Sequence, residues 1–264
     1  MEIDNEGAVA ARSSAELGVV TERTSYRGAD GATIEVFLAG PAGTGPSPAL
    51  LLGYEFWGML EVPGGGPHMR DVAQRLARAG YVAAVPDYYA ARGEQPTMEG
   101  GVIKGSPTDE QTISDLCLGV AWLAGLPRVD SDRIGCMGWC GGGRQALFLA
   151  AYCNQLRAVA SFYGRPVNRP DKPGLSPIDL VPRMNCPVFA GYGAADKAIP
   201  VETVHKFAAA MEQARVPHEV HIFPDAGHAF MNDQRDSYVA AAAANAWQKA
   251  LAFLARHLGE TGPH

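Results

Sequence analysis

The chain has no run of basic residues, and its formal net charge is −6. That argues against a nucleic-acid partner. No apolar run approaches the length of a bilayer span, so no membrane partner is expected either. The opening residues, Met1 to Glu6, are acidic and lack the basic stretch and apolar core of a signal peptide. Cysteine is scarce and odd in number, five in all, with neither metal-ligand nor disulfide-framework spacing. The absence of such spacing argues against a stapled scaffold or a metal centre and fits a reducing cytoplasm, where a thiol stays free. Charged residues are also few, at 19% against 47% hydrophobic, the balance of an ordinary globular protein. No internal repeat and no break in composition marks a second domain. A length of 264 residues gives ample core for one large α/β domain. We expect a loose polar tail over residues 1–18 and a single domain over 19–264.

What the chain does contain is organised around Arg133–Arg144. Ile134 to Met137 is an apolar run that reads as a short buried strand. The glycines from Gly141 to Gly143 follow, and Gln145 to Ala151 reads as a helix. Between strand and helix stands Gly138-Trp139-Cys140-Gly141-Gly142, the Gly-x-nucleophile-x-Gly pattern of a nucleophile elbow. Such a turn lifts one side chain above the sheet and tolerates only small neighbours. Serine usually occupies the central position; here it is Cys140. The alternative is a buried structural cysteine beside a glycine-rich turn.

Along the rest of the chain, strands and helices alternate from Ala49 onward. Val19–Tyr26 and Thr33–Leu38 read as a hairpin, and Ala49–Gly53 as a buried strand. His68–Ala79 has helical periodicity, and Tyr81–Val85 is again a buried strand. Ala90–Thr108 has no clear period; a loop this long tends to be a lid or binding loop. Asp109–Leu126 is an amphipathic helix, and Leu156–Tyr163 and residues 187–192 are strands. Val201–Ala214 is a helix, His218–Phe223 a strand, and Asp236–His257 a closing helix. Alternation of this kind predicts a mostly parallel sheet with helices on both faces. Ligands bind such sheets beyond the carboxyl ends of the strands. Glu55, Cys140, Asp196 and His228 all fall at those ends.

A cysteine nucleophile needs a base, and then a proton donor for the leaving group. Histidine serves both purposes. His228 lies in a strand-end loop of small residues, whereas His218, His221, His205, His257 and His264 fall on strands, helices or the terminus. The base needs an acid to set its tautomer. Asp196 follows the strand over 187–192, and the order Cys140, Asp196, His228 is nucleophile, acid, base. The alternative for Asp196 is the N-cap of the helix near Val201. Glu55, between Tyr54 and Phe56, is costly to bury unpaired. It is either salt-bridged to an arginine or close to Cys140, where its charge would keep the resting thiol neutral. The backbone N–H groups of Phe56 and Gly141 are candidates for an oxyanion hole. As a metal site the four residues are poor, since they mix hard and soft ligands without a paired motif.

These residues resemble the dienelactone hydrolases, roughly from Ala49 to the closing helix. The resemblance rests on Tyr54-Glu55-Phe56-Trp57-Gly58, Pro86-Asp87-Tyr88-Tyr89-Ala90, Gly138-Trp139-Cys140-Gly141-Gly142, Gly193-Ala-Ala-Asp196 and Ala226-Gly-His228-Ala-Phe230. It implies an α/β-hydrolase fold, a Cys140-His228-Asp196 triad with no metal or cofactor, and a Glu55 that turns away and helps to deprotonate Cys140 when substrate arrives. It implies a small lactone or ester as substrate, and we expect a monomer or homodimer. The family uses two arginines to hold a substrate carboxylate. Arg92 matches the first, one residue late, and Asn232 stands where the second is expected, with Arg235 the nearest cation. A weaker preference for acidic lactones follows, with larger or less charged substrates lined by Trp57 and Tyr89. A broader esterase or thioesterase, and a non-catalytic redox-sensing protein with a reactive Cys140, are the competing readings.

Overall fold

The computed structural model of the chain describes residues 18–43, 45–93, 97–99, 102–104, 107–168 and 174–259. The expected tail therefore lies outside the described residues, apart from Gly18. The strands are β1 (Val19–Arg27), β2 (Thr33–Pro41), β3 (Ser47–Gly53), β4 (Val82–Pro86), β5 (Thr97–Glu99), β6 (Val102–Lys104), β7 (Val129–Trp139), β8 (Ala158–Phe162), β9 (Val188–Gly193) and β10 (His218–Phe223). The helices are α1 (Gly66–Arg78), α2 (Asp109–Ala124), α3 (Gly141–Tyr152), α4 (Val201–Gln213) and α5 (Ala240–Leu258).

Eight strands form one sheet in the order β1-β2-β4-β3-β7-β8-β9-β10. The run from β4 to β10 is parallel throughout, and β1 and β2 add an antiparallel edge. Every residue of β3, β4, β8 and β9 is buried, as expected of strands covered on both faces. At the outer edge, β10 is only half-buried. Helices α1 and α5 meet where the Arg75 guanidinium lies 4.2 Å from the centre of the Trp247 ring. Helices α2 and α3 meet where Asp109 accepts from Arg144 and Gln145, each at 2.7 Å. A capping box between Thr108 and Gln111 starts α2, satisfying backbone donors that the first turn leaves open.

Three sequence expectations need correction. The stretch read as irregular contains a 3-10 turn at Ala90–Arg92 and the two-stranded hairpin β5-β6. Within the stretch 90–108 expected to be a lid or binding loop, residues 94–96, 100–101 and 105–106 lie outside the described residues. The closing helix starts at Ala240 rather than Asp236, so residues 232–239 form turns beside the site. The cysteines are not all free: Cys117 on α2 is bonded to Cys153, the C-cap of α3. Cys136, Cys140 and Cys186 remain thiols. Helix packing brings the pair together, which no spacing in the sequence signals.

The bond ties α2 to the far end of the helix that follows Cys140, across a sequence separation of 36 residues. A crosslink of that span stabilises by about 2–4 kcal/mol. Reduction, or Cys117→Ser, is therefore expected to lower Tm by on the order of 5–10 °C. Thermal unfolding with and without a dithiol reductant checks this, and equal midpoints would show that the bond carries no stability.

Candidate active site

Strand β7 ends at Trp139, and the chain turns into α3 through Cys140, whose φ of 53° lies in the left-handed region. Holding a non-glycine residue there costs energy, and the surroundings supply it. The Cys140 N–H donates to the Phe162 carbonyl at 3.0 Å, and the Gly142 N–H to the Tyr54 carbonyl at 2.9 Å. Those bonds pin the elbow between the ends of β8 and β3. Glycine flanks the turn because there is no room for more. A Cβ on Gly138 would come within 2.2 Å of the Gly142 carbonyl oxygen, and one on Gly142 within 2.1 Å of the Gly53 carbonyl carbon.

The strand ends then bring the other groups in. His228, in the loop after β10, places Nε2 3.1 Å from Cys140 Sγ. Its Nδ1 lies 2.7 Å from Asp196 Oδ2, beyond the end of β9. The second oxygen of Asp196 accepts from the N–H groups of Ala198 at 2.8 Å and Ile199 at 3.2 Å, so the carboxylate is held in a tight turn. Asp196 is not the cap of α4; that place is taken by Pro200. Burial pulls the His228 pKa down, but the bonds to Asp196 and then to Cys140 outweigh it and push it up to about 10. Burial raises the other two thiols, Cys136 strongly and Cys186 to about 12, so neither is a thiolate near neutrality.

Glu55 is 4% exposed, and each of its oxygens accepts from another side chain. The Tyr163 hydroxyl donates to Oε1 at 2.8 Å, and Asn232 Nδ2 donates to Oε2 at 3.1 Å. Burial, and then the charge of Glu55, hold the Tyr163 phenol well above its usual range, so it stays a donor. Tyr163 also packs against the His228 ring at 5.2 Å between centroids. Sequence reasoning missed it. The signal was available in its place at the end of β8, next to the elbow strand, but only once the strand order is known.

Two expected substrate contacts sit elsewhere. Arg92 does not present a free guanidinium. Its Nη2 donates to both oxygens of the buried Asp115, at 2.6 and 2.7 Å, and its Nη1 pairs with Asp30. Two carboxylates compensate the one cation. Arg92→Ala is thus expected to lower Tm by several degrees, because it strands the buried Asp115. The ratio of kcat/KM for an acidic ester over its methyl ester should stay within about threefold; a drop beyond tenfold would return Arg92 to the substrate. Asn232 is fully buried and holds Glu55 and the Gly64 carbonyl, which lies 3.2 Å from its Nδ2. It faces the carboxylate of the protein rather than open space. Arg235 lines a cavity of about 350 Å³ with Trp57, Val62, Pro63, Gln234 and Asp236. Trp57 packs edge-on to Phe56 at 4.8 Å.

The N–H groups of Phe56 and Gly141 have no acceptor among the described residues. Gly141 is the first residue of α3, where helical N–H groups are unsatisfied and the dipole favours negative charge. Among the described residues no group of three or more His, Cys, Asp or Glu side chains could hold a metal ion, and no helix is long and apolar enough to cross a membrane.

A sequence profile described as "Dienelactone hydrolase family" matches residues 34–258, which takes in every element from β2 to α5. The chain belongs to the dienelactone hydrolase family. It is accordingly a hydrolase of the ester and lactone class with an α/β-hydrolase fold. Among family relatives, a provisionally named carboxymethylenebutenolidase of Methylorubrum extorquens is 34% identical over 224 residues, 82% of this chain and 74% of that protein. A Bradyrhizobium protein, provisionally named a 2-oxo-3-(5-oxofuran-2-ylidene)propanoate lactonase, is 32% identical over 236 residues, 88% of this chain and 92% of that one. The crystal structure of a provisionally named dienelactone hydrolase from Klebsiella pneumoniae superposes with a TM-score of 0.80 at 31% identity, covering 90% of this chain and 99% of that one.

Proposed function

We propose that this family member hydrolyses a small lactone or ester through a thioacyl-enzyme on Cys140. The observation that carries the reading is the continuous Cys140–His228–Asp196 chain, with contacts of 3.1 and 2.7 Å, at the carboxyl ends of parallel strands. Because Asp196 and Cys140 raise His228 to about 10, Nε2 already holds a proton near neutrality, and Sγ attacks the carbonyl carbon from that pair. Negative charge collects on the carbonyl oxygen, which the free N–H groups of Gly141 and Phe56 stabilise. As the intermediate collapses, the C–O bond to the alcohol breaks and His228 protonates the departing oxygen. Water, deprotonated by the same imidazole, then releases the acid. Asp196 holds Nδ1 and stabilises the imidazolium, which the first half-reaction discharges and the second restores.

Glu55 enters this scheme as a reserve carboxylate, parked on Tyr163 and Asn232. Substrate that displaces either donor would free an oxygen, whose charge would help to keep the Cys140 proton on His228. The Bradyrhizobium relative is named for an acidic lactone, but Arg92 is committed to Asp115 and Asp30 in this chain. That pairing favours neutral or larger esters over small acidic lactones. The test is stopped-flow hydrolysis of 4-nitrophenyl acetate. A burst of nitrophenolate matching one acyl group per Cys140, with the acyl group located by mass spectrometry, supports the reading. Binding without turnover would move the chain to the sensing class.

A further inference from the structure

The Tyr89 hydroxyl stands 3.8 Å from the point where a Cβ on Gly141 would sit, so it overhangs the first turn of α3. Among the described residues it has no hydrogen-bond partner, and the side chain is only partly buried. The neighbouring Tyr88 hydroxyl, by contrast, is sealed in the core. Tyr89 is firmly held. Its backbone N–H donates to the Tyr54 hydroxyl at 2.8 Å, and its ring meets those of Tyr54 and Tyr88 edge-on, at 4.9 and 5.0 Å. The Arg92 N–H closes the following turn onto the Tyr89 carbonyl at 3.0 Å, and Arg92 itself is locked to Asp115. A rigid, unpaired donor over Gly141, the residue that follows the nucleophile, is what a developing oxyanion requires.

We propose that Tyr89 is a catalytic residue whose phenol donates a third hydrogen bond to the oxyanion, alongside the N–H groups of Gly141 and Phe56. The inference rests on the Cys140 reading. When the thiolate adds to the carbonyl carbon, the π electrons move onto oxygen, and that oxygen accepts from the phenol. On collapse the pair returns, the bond to the leaving oxygen breaks, and that oxygen takes its proton from His228. Tyr89 keeps its own proton throughout. Burial, then Cys140 and Asp109, hold its pKa well above the usual phenol range, so it donates at any pH where the enzyme would work.

The test is the single-turnover acylation rate of wild type and Tyr89→Phe with a series of phenyl acetates of differing leaving-group pKa. The expected result is a loss of roughly 10²-fold in acylation rate, with KM within about twofold and the same factor for every ester. Acylation of Tyr89→Phe at the wild-type rate would overturn the inference and leave Cys140 as nucleophile. A loss that grows with leaving-group pKa would also overturn it, since the phenol would then be serving the departing oxygen. A wild-type enzyme that never acylates Cys140 sinks the inference together with the reading beneath it. Because the hydroxyl has no partner to strand, Tyr89→Phe should unfold at the wild-type temperature.

Discussion

Cys140→Ala should abolish the nitrophenolate burst and lower kcat by about 10³-fold or more while the protein stays folded. Removing the nucleophile leaves only the oxyanion donors and binding, and a 10³-fold loss corresponds to about 4 kcal/mol of transition-state stabilisation. Survival of the fold follows from the elbow. Its strain lies in the φ of 53° at residue 140, which an alanine Cβ experiences much as a cysteine Cβ does. The close approaches belong to Gly138 and Gly142, which are untouched. Neither remaining thiol can take over, because Cys136 and Cys186 are buried with pKa values pushed upward. Burst amplitude, steady-state kcat and circular dichroism check the claim together. Turnover near the wild-type level in a folded Cys140→Ala would place the nucleophile elsewhere. His228→Ala should cost a similar factor, since a triad acts as a unit and its losses do not add.

Much of this was legible in the chain because the fold writes itself in local terms. Ala49–Gly53 and residues 187–192 are unbroken apolar runs, and the structure makes them the buried strands β3 and β9. The elbow was legible because only glycine fits at positions 138 and 142. Other features were hidden for physical reasons. Helix α3 begins at Gly141, and three glycines are poor helix formers; the turn demands them and packing overrides propensity. Strand β7 extends back to Val129 through Asp130, Ser131, Asp132 and Arg133, polar residues at the strand's exposed start. The partners of Glu55 lie 108 and 177 residues away, at Tyr163 and Asn232. Only the strand order brings them together. Arg92 was read by its place in a motif, and that place says nothing of Asp115 on α2.

Asp196→Asn is expected to lower kcat by on the order of 10³–10⁴-fold, with a pH signature that a mere loss of stability would not produce. One Asp196 oxygen accepts from the Ala198 and Ile199 N–H groups, and the other faces His228 Nδ1 at 2.7 Å. An asparagine keeps its oxygen on the two N–H groups and turns its NH₂ toward the ring. Nδ1 must then accept, the proton moves to Nε2, and the imidazole presents a donor to a sulfur that needs a base. The second consequence concerns charge. His228 is raised from 6.5 to about 10, and the bond to Asp196 is the largest contribution raising it. A histidine raised on folding stabilises the native state fully below pH 6.5, and that stabilisation is lost as pH climbs toward 10. Removing the Asp196 charge removes part of that stabilisation, so the difference in stability between wild type and variant should be greatest near pH 6 and shrink at alkaline pH. Denaturant unfolding across that range checks the sign, and kcat/KM against pH checks the base. A variant within tenfold of wild type, or a stability difference that grows with pH, would remove Asp196 from the role assigned to it.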